Sequence, residues 1–160
     1  MNAPVELDAI DLRVLRALQV HGRATYDELA AQVSLSASAT LRRVKRLEEA
    51  GVIQGYGARV DLRAIGIGLQ AIIRIQTTHA GIRPYLALFE AMPEVLEADR
   101  VTGADCFVVR CAIAEPRDLE RVVDALAAHG GVTTSLVLSS PVRKTATVLA
   151  ARREPVASAR

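Results

Sequence analysis

The stretch from Thr25 to Glu49, TYDELAAQVSLSASATLRRVKRLEE, divides into two short helices around a tight turn. Thr25 followed three residues later by Glu28 forms a capping box, which satisfies two backbone amides that a helix start otherwise leaves orphaned. Leu29, Ala30 and Val33 supply the buried stripe of this first helix. A turn spanning Val33 to Leu35 precedes Ser36, whose hydroxyl is placed to cap the second helix. At 3.6 residues per turn, Thr40, Val44 and Leu47 then share one side, while Ser38, Arg42 and Lys45 share the other with Arg46 beside them. The outward face is small at its start and cationic further along, and no acidic residue interrupts it from Ser36 to Leu47. Small side chains let a helix start enter a major groove, and longer basic ones reach base edges or phosphates.

This pattern is that of a helix-turn-helix, and duplex DNA is its expected partner. Ser36, Ser38, Leu41, Arg42, Arg43, Lys45 and Arg46 are the candidate DNA contacts. Taken alone, the basic cluster is equally a solvated helix face; the capped helix before it and a third helix upstream favour the groove. Arg43 lies nearer the buried side, where a structural role competes with a DNA contact.

The upstream helix is expected from about Asp8 to His21, with Asp8 as cap and Asp11 in the first turn, where the helix dipole favours an anion. Ile10, Val14, Leu15 and Leu18 point inward, and Gly22 ends the helix. Beyond the recognition helix, Gly51 offers a left-handed stop, and Val52 to Asp61 reads as an extended, glycine-loosened hinge strand leaving the headpiece.

Composition agrees with a compact globular chain. The 160 residues suit one or two small domains, and 51% hydrophobic content fills a core. Net charge is only +2, so any positive potential toward DNA is local to the recognition helix. Aromatics make up 3%, which disfavours a single-strand binder that stacks bases on rings. The first six residues lack a basic start and an apolar core, and no apolar run approaches the roughly 20 residues that span a bilayer, so a cytoplasmic location is expected, with no membrane partner.

After Gly66 the pattern changes to strand, helix, strand, strand, helix, strand, a ferredoxin-like α+β order. Gly68 to His79 alternates, with Leu69, Ala71, Ile73 and Ile75 on one face and Gln70, Ile72, Arg74 and Gln76 on the other. Ile82 to Met92 is a helix with Pro84 in its first turn, stopping before Pro93. Val95 to Thr102 and Cys106 to Ala114 make a hairpin around Gly103-Ala104-Asp105. A second helix, Pro116 to about Ala128, buries Leu119, Val122, Val123 and Leu126 and is broken by Gly130-Gly131 before strands at Val132 to Ser139 and Val142 to Ala150. Arg74 and Arg110 on the second sheet face indicate that this face meets another subunit or water, and a homodimer built sheet against sheet is expected.

Cys106 and Cys111 sit five apart in an expected strand, on opposite faces, which argues against an intrachain disulfide or a shared metal. Structural thiols are the simple reading, with a redox role for Cys106 as the alternative because it begins its strand beside a loop. His21, His79 and His129 are scattered, with no metal-ligand spacing, nucleophile elbow or phosphate loop. No catalytic residue, metal or cofactor is expected.

Leu7-Asp8 with Asp11, Gly22-Arg23, Glu28-Leu29-Ala30, Leu35-Ser36, Arg43 to Glu49 and Gly51-Val52-Ile53 together resemble the Lrp/AsnC (leucine-responsive, or feast/famine) transcriptional regulators. The resemblance continues through Val60-Asp61, Gly66, Pro93-Glu94-Val95 and Val101-Thr102-Gly103, and so covers nearly the whole chain. It implies a winged-type helix-turn-helix domain (1–52), a hinge strand and linker (53–67), a ferredoxin-like effector and oligomerisation domain of the RAM type (68–151) and a flexible tail (152–160). It further implies an amino acid or related small metabolite as effector, and dimers that assemble into tetramers or octamers.

Within that resemblance, Val101 to Phe107 looks like the family's effector loop, usually glycine, two variable residues, then Asp and Tyr. Here the loop is one residue shorter. Aligned on Asp105, Cys106 replaces the tyrosine; aligned on Phe107, it replaces the acid. The first alignment is preferred, because an exposed carboxylate in a glycine turn pairs with an ammonium group while nearby amides receive a carboxylate. Thr102, Gly103, Ala104, Asp105 and Cys106 are therefore effector candidates, joined by Thr133, Thr134 and Ser135, which open a neighbouring strand. Glycine and aspartate are also ordinary turn residues, and threonine an ordinary strand former. Two other functions compete with a DNA-binding regulator: a dimeric ferredoxin-like enzyme of the α/β-barrel oxygenase kind, and a small-molecule sensor without an operator of its own.

Overall fold

The computed structural model describes residues 5–142. The expected strand from Val142 to Ala150 lies outside them apart from Val142 itself, and so does the expected tail. The chain forms two compact units, one taking the residues up to Arg59 and the other Val60–Pro141.

The first unit is built on three helices, α1 (Ala9–Val20), α2 (Tyr26–Val33) and α3 (Ala37–Glu49). Each begins at a capping residue visible in the sequence. Asp8 accepts from the amides of Ile10 and Asp11, both at 2.8 Å, and Asp11 Oδ2 returns the bond by accepting from the Asp8 amide at 3.0 Å. Thr25 and Glu28 exchange the same pair of bonds, and Ser36 Oγ accepts from the Ala39 amide. Between α2 and α3 the turn rests on Ser34, a non-glycine residue at φ +58°, a conformation that side chains seldom adopt. Val14, Ala17, Leu29, Val33, Val44 and Leu47 form the core, and Thr40, buried beside them, donates its hydroxyl to the Ser36 carbonyl. Ile10, Leu15 and Leu18 pack against this core only partly. The α3 terminus closes through bonds from Val52 and Ile53 back to the Leu47 carbonyl. The expected hinge strand forms no strand among the described residues; within it the Tyr56 hydroxyl donates to Glu48 Oε1 of α3 at 2.9 Å.

The second unit opens on a short 3-10 turn (Arg63–Ile65) and continues through β1 (Leu69–Gln76), α4 (Ile82–Ala91), β2 (Val95–Arg100), β3 (Phe107–Ile113), α5 (Pro116–Ala127) and β4 (Gly131–Leu136). All pairings are antiparallel, in the order β2-β3-β1-β4. This is the ferredoxin-like arrangement. β1 ends three residues before the expected His79, because Thr77 turns away to donate its hydroxyl to the His129 carbonyl and His79–Gly81 coil into a 3-10 turn. One sheet face carries Ala71, Ile73, Ile75, Phe107, Val109, Cys111 and Ile113, packed on Tyr85 and Phe89 of α4 and Val122 and Leu126 of α5. Tyr85, Phe89 and Phe107 form a ring cluster with centroids 5.2 to 6.0 Å apart, and the Tyr85 hydroxyl donates to the Leu126 carbonyl at 2.7 Å. Burial raises the Tyr85 phenol above its usual pKa.

Both helices lie on that one face. The other face presents Ile72, Arg74, Val108, Arg110, Thr133 and Ser135 in adjacent register, and Arg110 reaches Glu97 at 3.9 Å. Gly130 does more than break α5. A Cβ there would stand 2.3 Å from the Gln76 carbonyl, so only glycine lets the end of α5 meet the end of β1.

Candidate DNA interface and ligand loop

The α3 surface follows from its periodicity. With Thr40, Val44 and Leu47 committed to the core, Ser36, Ser38, Arg42, Lys45 and Arg46 are exposed, while Leu41 and Arg43 are half-buried. Ser36 and Ser38 hydroxyls lie 3.1 Å apart at the helix start.

The basic residues separate into two groups. Arg42 and Lys45 make no ion pair among those found in the described residues. Arg43 Nη1 instead donates to Asp8 Oδ2 at 2.7 Å and to Asp11 Oδ1 at 2.8 Å, and Arg46 Nη2 donates to Asp11 Oδ2. Asp11 is fully buried. The sequence places Asp11 as a dipole-compensating anion and Arg46 as a flanking DNA contact; in the folded headpiece they hold one another, because α1 packs against α3 and a buried carboxylate requires partners. Asp8, Leu35, Ala39, Arg42, Arg43 and Arg46 line an open cleft of about 410 Å³ between these elements.

The Asp11 amide, and then the Arg43 guanidinium, hold the Asp8 carboxyl at about 2, well below its usual 3.8. The two carboxylates in turn raise the Arg43 pKa. A carboxyl depressed on folding stabilises the fold above its ordinary pKa and loses that contribution as pH falls through the folded value. Headpiece stability should therefore decline between about pH 4 and pH 2. Denaturant unfolding at a series of pH values checks this: Asp8→Asn, which retains a capping side chain, should flatten that limb.

In the second unit the hairpin from Val101 to Cys106 closes at one end of the sheet. Gly103 takes φ +111°, the left-handed region that favours glycine. Val101 donates its amide to the Cys106 carbonyl, and the Cys106 amide reaches the Ile75 carbonyl at 2.7 Å. The loop is thereby tied to β1. Gln76 Nε2 donates to Asp105 Oδ1 at 3.2 Å, and Cys106 Sγ donates to the Thr77 carbonyl at 3.1 Å. Thr102, Gly103 and Ala104 are exposed, whereas Asp105 and Cys106 are half-buried. Cys106 precedes β3 and packs against the end of the core, so it does not take the opposite sheet face from buried Cys111. Both thiols are free. Burial pushes the Cys111 thiol up to about 11, with Glu94 adding to the shift.

Strand alternation divides the three hydroxyls of β4. Thr133 pairs with Arg74 and Ser135 with Ile72 on the uncovered face, while Thr134 pairs with Ile73 on the helix side. The loop and the start of β4 meet at the same sheet end through Gln76, which pairs with Gly131 and also bonds Asp105. Gln76, Thr77 and His129 were not among the site residues expected from the sequence. Their one signal was position, at the ends of elements that the topology gathers. Among the described residues no cluster of His, Cys, Asp and Glu is arranged to hold a metal, and no helix is long and apolar enough to cross a membrane.

Comparison with known proteins joins the two surfaces. Residues 7–54 match the family model described as winged helix-turn-helix DNA-binding, and residues 70–147 match that described as the Lrp/AsnC ligand binding domain. The chain is 41% identical over 140 residues to the leucine-responsive regulatory protein of Rhizobium meliloti, covering 84% of this chain and 88% of that protein. It is 37% identical to the transcriptional regulator AldR of Mycolicibacterium smegmatis, covering 82% and 81%. Among solved structures, a transcriptional regulator from Neisseria meningitidis in complex with L-Met superposes with a TM-score of 0.82 at 32% identity, over 88% of this chain and 95% of that one.

Proposed function

The chain belongs to the Lrp/AsnC family of transcriptional regulators, a DNA-binding helix-turn-helix joined to a ligand-binding domain, and from that premise we propose that an amino acid controls it. The observation that carries the reading is the Val101–Cys106 hairpin, whose Asp105 is held half-buried by Gln76 while Gly103 keeps the loop backbone open. A carboxylate so placed receives the ammonium of an amino acid, and loop amides receive its carboxylate. A relative solved with L-Met and another named leucine-responsive support this ligand class. Thr133 and Ser135 face the uncovered side of the sheet, and Thr134 does not share it.

The uncovered face, with Ile72 and Val108 set among Arg74 and Arg110, supports a homodimer formed sheet against sheet. A two-fold dimer presents two recognition helices about one helical turn of DNA apart. Effector binding then shifts the equilibrium between dimers and higher oligomers, tetramers or octamers, because it binds one state better than the other. The protein works in the cytoplasm, as a regulator and not as an enzyme.

A thermal-shift screen of the twenty amino acids tests the sensor. A ligand at 100 times its Kd stabilises the native state by about 2.7 kcal/mol, and one or a few amino acids should raise the melting temperature. Silence across the panel would refute the pocket. Asp105→Ala should abolish that shift and leave DNA affinity intact; loss of both would make Asp105 a residue of the fold.

A further inference from the structure

We propose that Asp8 and Asp11 determine the specificity of DNA binding, acting as internal counter-charges that withhold Arg43 and Arg46 from non-specific attraction to phosphate. The inference rests on the DNA-binding role of α3. α3 carries four basic side chains within five positions, yet two of them are ion-paired with carboxylates of the α1 start. Arg43 Nη1 contacts both carboxylates at 2.7 and 2.8 Å, and Arg46 contacts the same buried Asp11. Each oxygen of Asp11 is thereby used, and Oδ2 also accepts the Asp8 amide.

The geometry separates the two acids. Asp11 is fully buried and fixes the guanidinium positions; Asp8, half exposed, borders the open cleft that Arg42, Arg43 and Arg46 line. A phosphate entering that cleft meets three guanidiniums but also the Asp8 carboxylate. Non-specific affinity comes almost wholly from phosphate neutralisation, and a repulsive group that suppresses it widens the gap to the operator. Arg42 and Lys45, which make no ion pair found among the described residues, lie on the groove-facing side. Asp8 and Asp11 are positioning residues, since neither faces the groove alongside Ser38, Arg42 and Lys45.

Binding of the full-length protein to an operator duplex recovered by selection, and to a scrambled duplex of equal length, tests the proposal. Asp11→Asn should raise affinity for the scrambled duplex roughly 3- to 10-fold and steepen its log Kd against log salt slope by about 0.9 per freed cation. Discrimination between the duplexes should fall. Asp8→Asn should act in the same direction to a smaller degree, and it decides the matter alone if the buried substitution prevents folding. A merely structural role would weaken both duplexes together. Unchanged or weaker scrambled binding by either variant, shown by circular dichroism to be folded under the binding conditions, overturns the proposal. If the wild-type protein itself prefers neither duplex, it is the DNA-binding reading of α3 that fails.

Discussion

A Leu47→Ala protein should lose about 2–5 kcal/mol of headpiece stability and with it specific DNA binding. Leu47 is fully buried in the three-helix core, and its carbonyl also receives the amides of Val52 and Ile53 that close the end of α3. Truncation leaves a cavity where α3 meets its neighbours. Three short helices offer few other contacts to compensate, and small cores have little stability in reserve. Far-UV circular dichroism across a denaturant titration should show early loss of the α1–α3 share of the helix signal, while the helix and strand signal of Val60–Pro141 persists. A cost below about 1 kcal/mol would mean that the site collapses around the gap.

The second large effect falls on recognition and leaves stability untouched. Arg42→Ala should weaken operator binding by about 1–3 kcal/mol, roughly 5- to 150-fold, if its guanidinium reads a base edge. Arg42 is exposed on the outward side of α3 and appears in none of the ion pairs that fix Arg43 and Arg46, so its removal breaks none of those pairs. Titration against the operator and a scrambled duplex separates the two roles open to it. Loss confined to the operator marks a base contact, and equal loss on both marks a phosphate contact.

The headpiece was legible in the sequence because its determinants are local. Thr25 with Glu28, Ser36 with Ala39, and the Thr40–Val44–Leu47 stripe all act within one or two helical turns, and each took its expected place. Sheet alternation was equally readable, from Leu69, Ala71, Ile73 and Ile75. What escaped depends on long-range pairing. The bonds from Arg43 and Arg46 to Asp11 join residues 32 and 35 apart, and in sequence a buried aspartate in a first helical turn resembles any dipole-stabilising one. The hairpin at Gly103 and Asp105 is marked as a candidate ligand loop through the family resemblance, since glycine and aspartate alone describe any turn. Its attachment through Gln76 and Thr77 arises only once β1 lies beside β3. The β4 hydroxyls form a run of three in sequence, and the two-residue period of a strand sends the middle one to the other side.

Sequence-specific recognition of duplex DNA by α3 is the centre of this account, and salt-dependent binding of the full-length protein tests it most directly. Fluorescence anisotropy with the selected operator and a scrambled duplex should give an operator affinity at least about 10³-fold higher, with both affinities falling steeply between about 50 and 200 mM salt. Equal affinity for the two duplexes, or binding indifferent to salt, would contradict it.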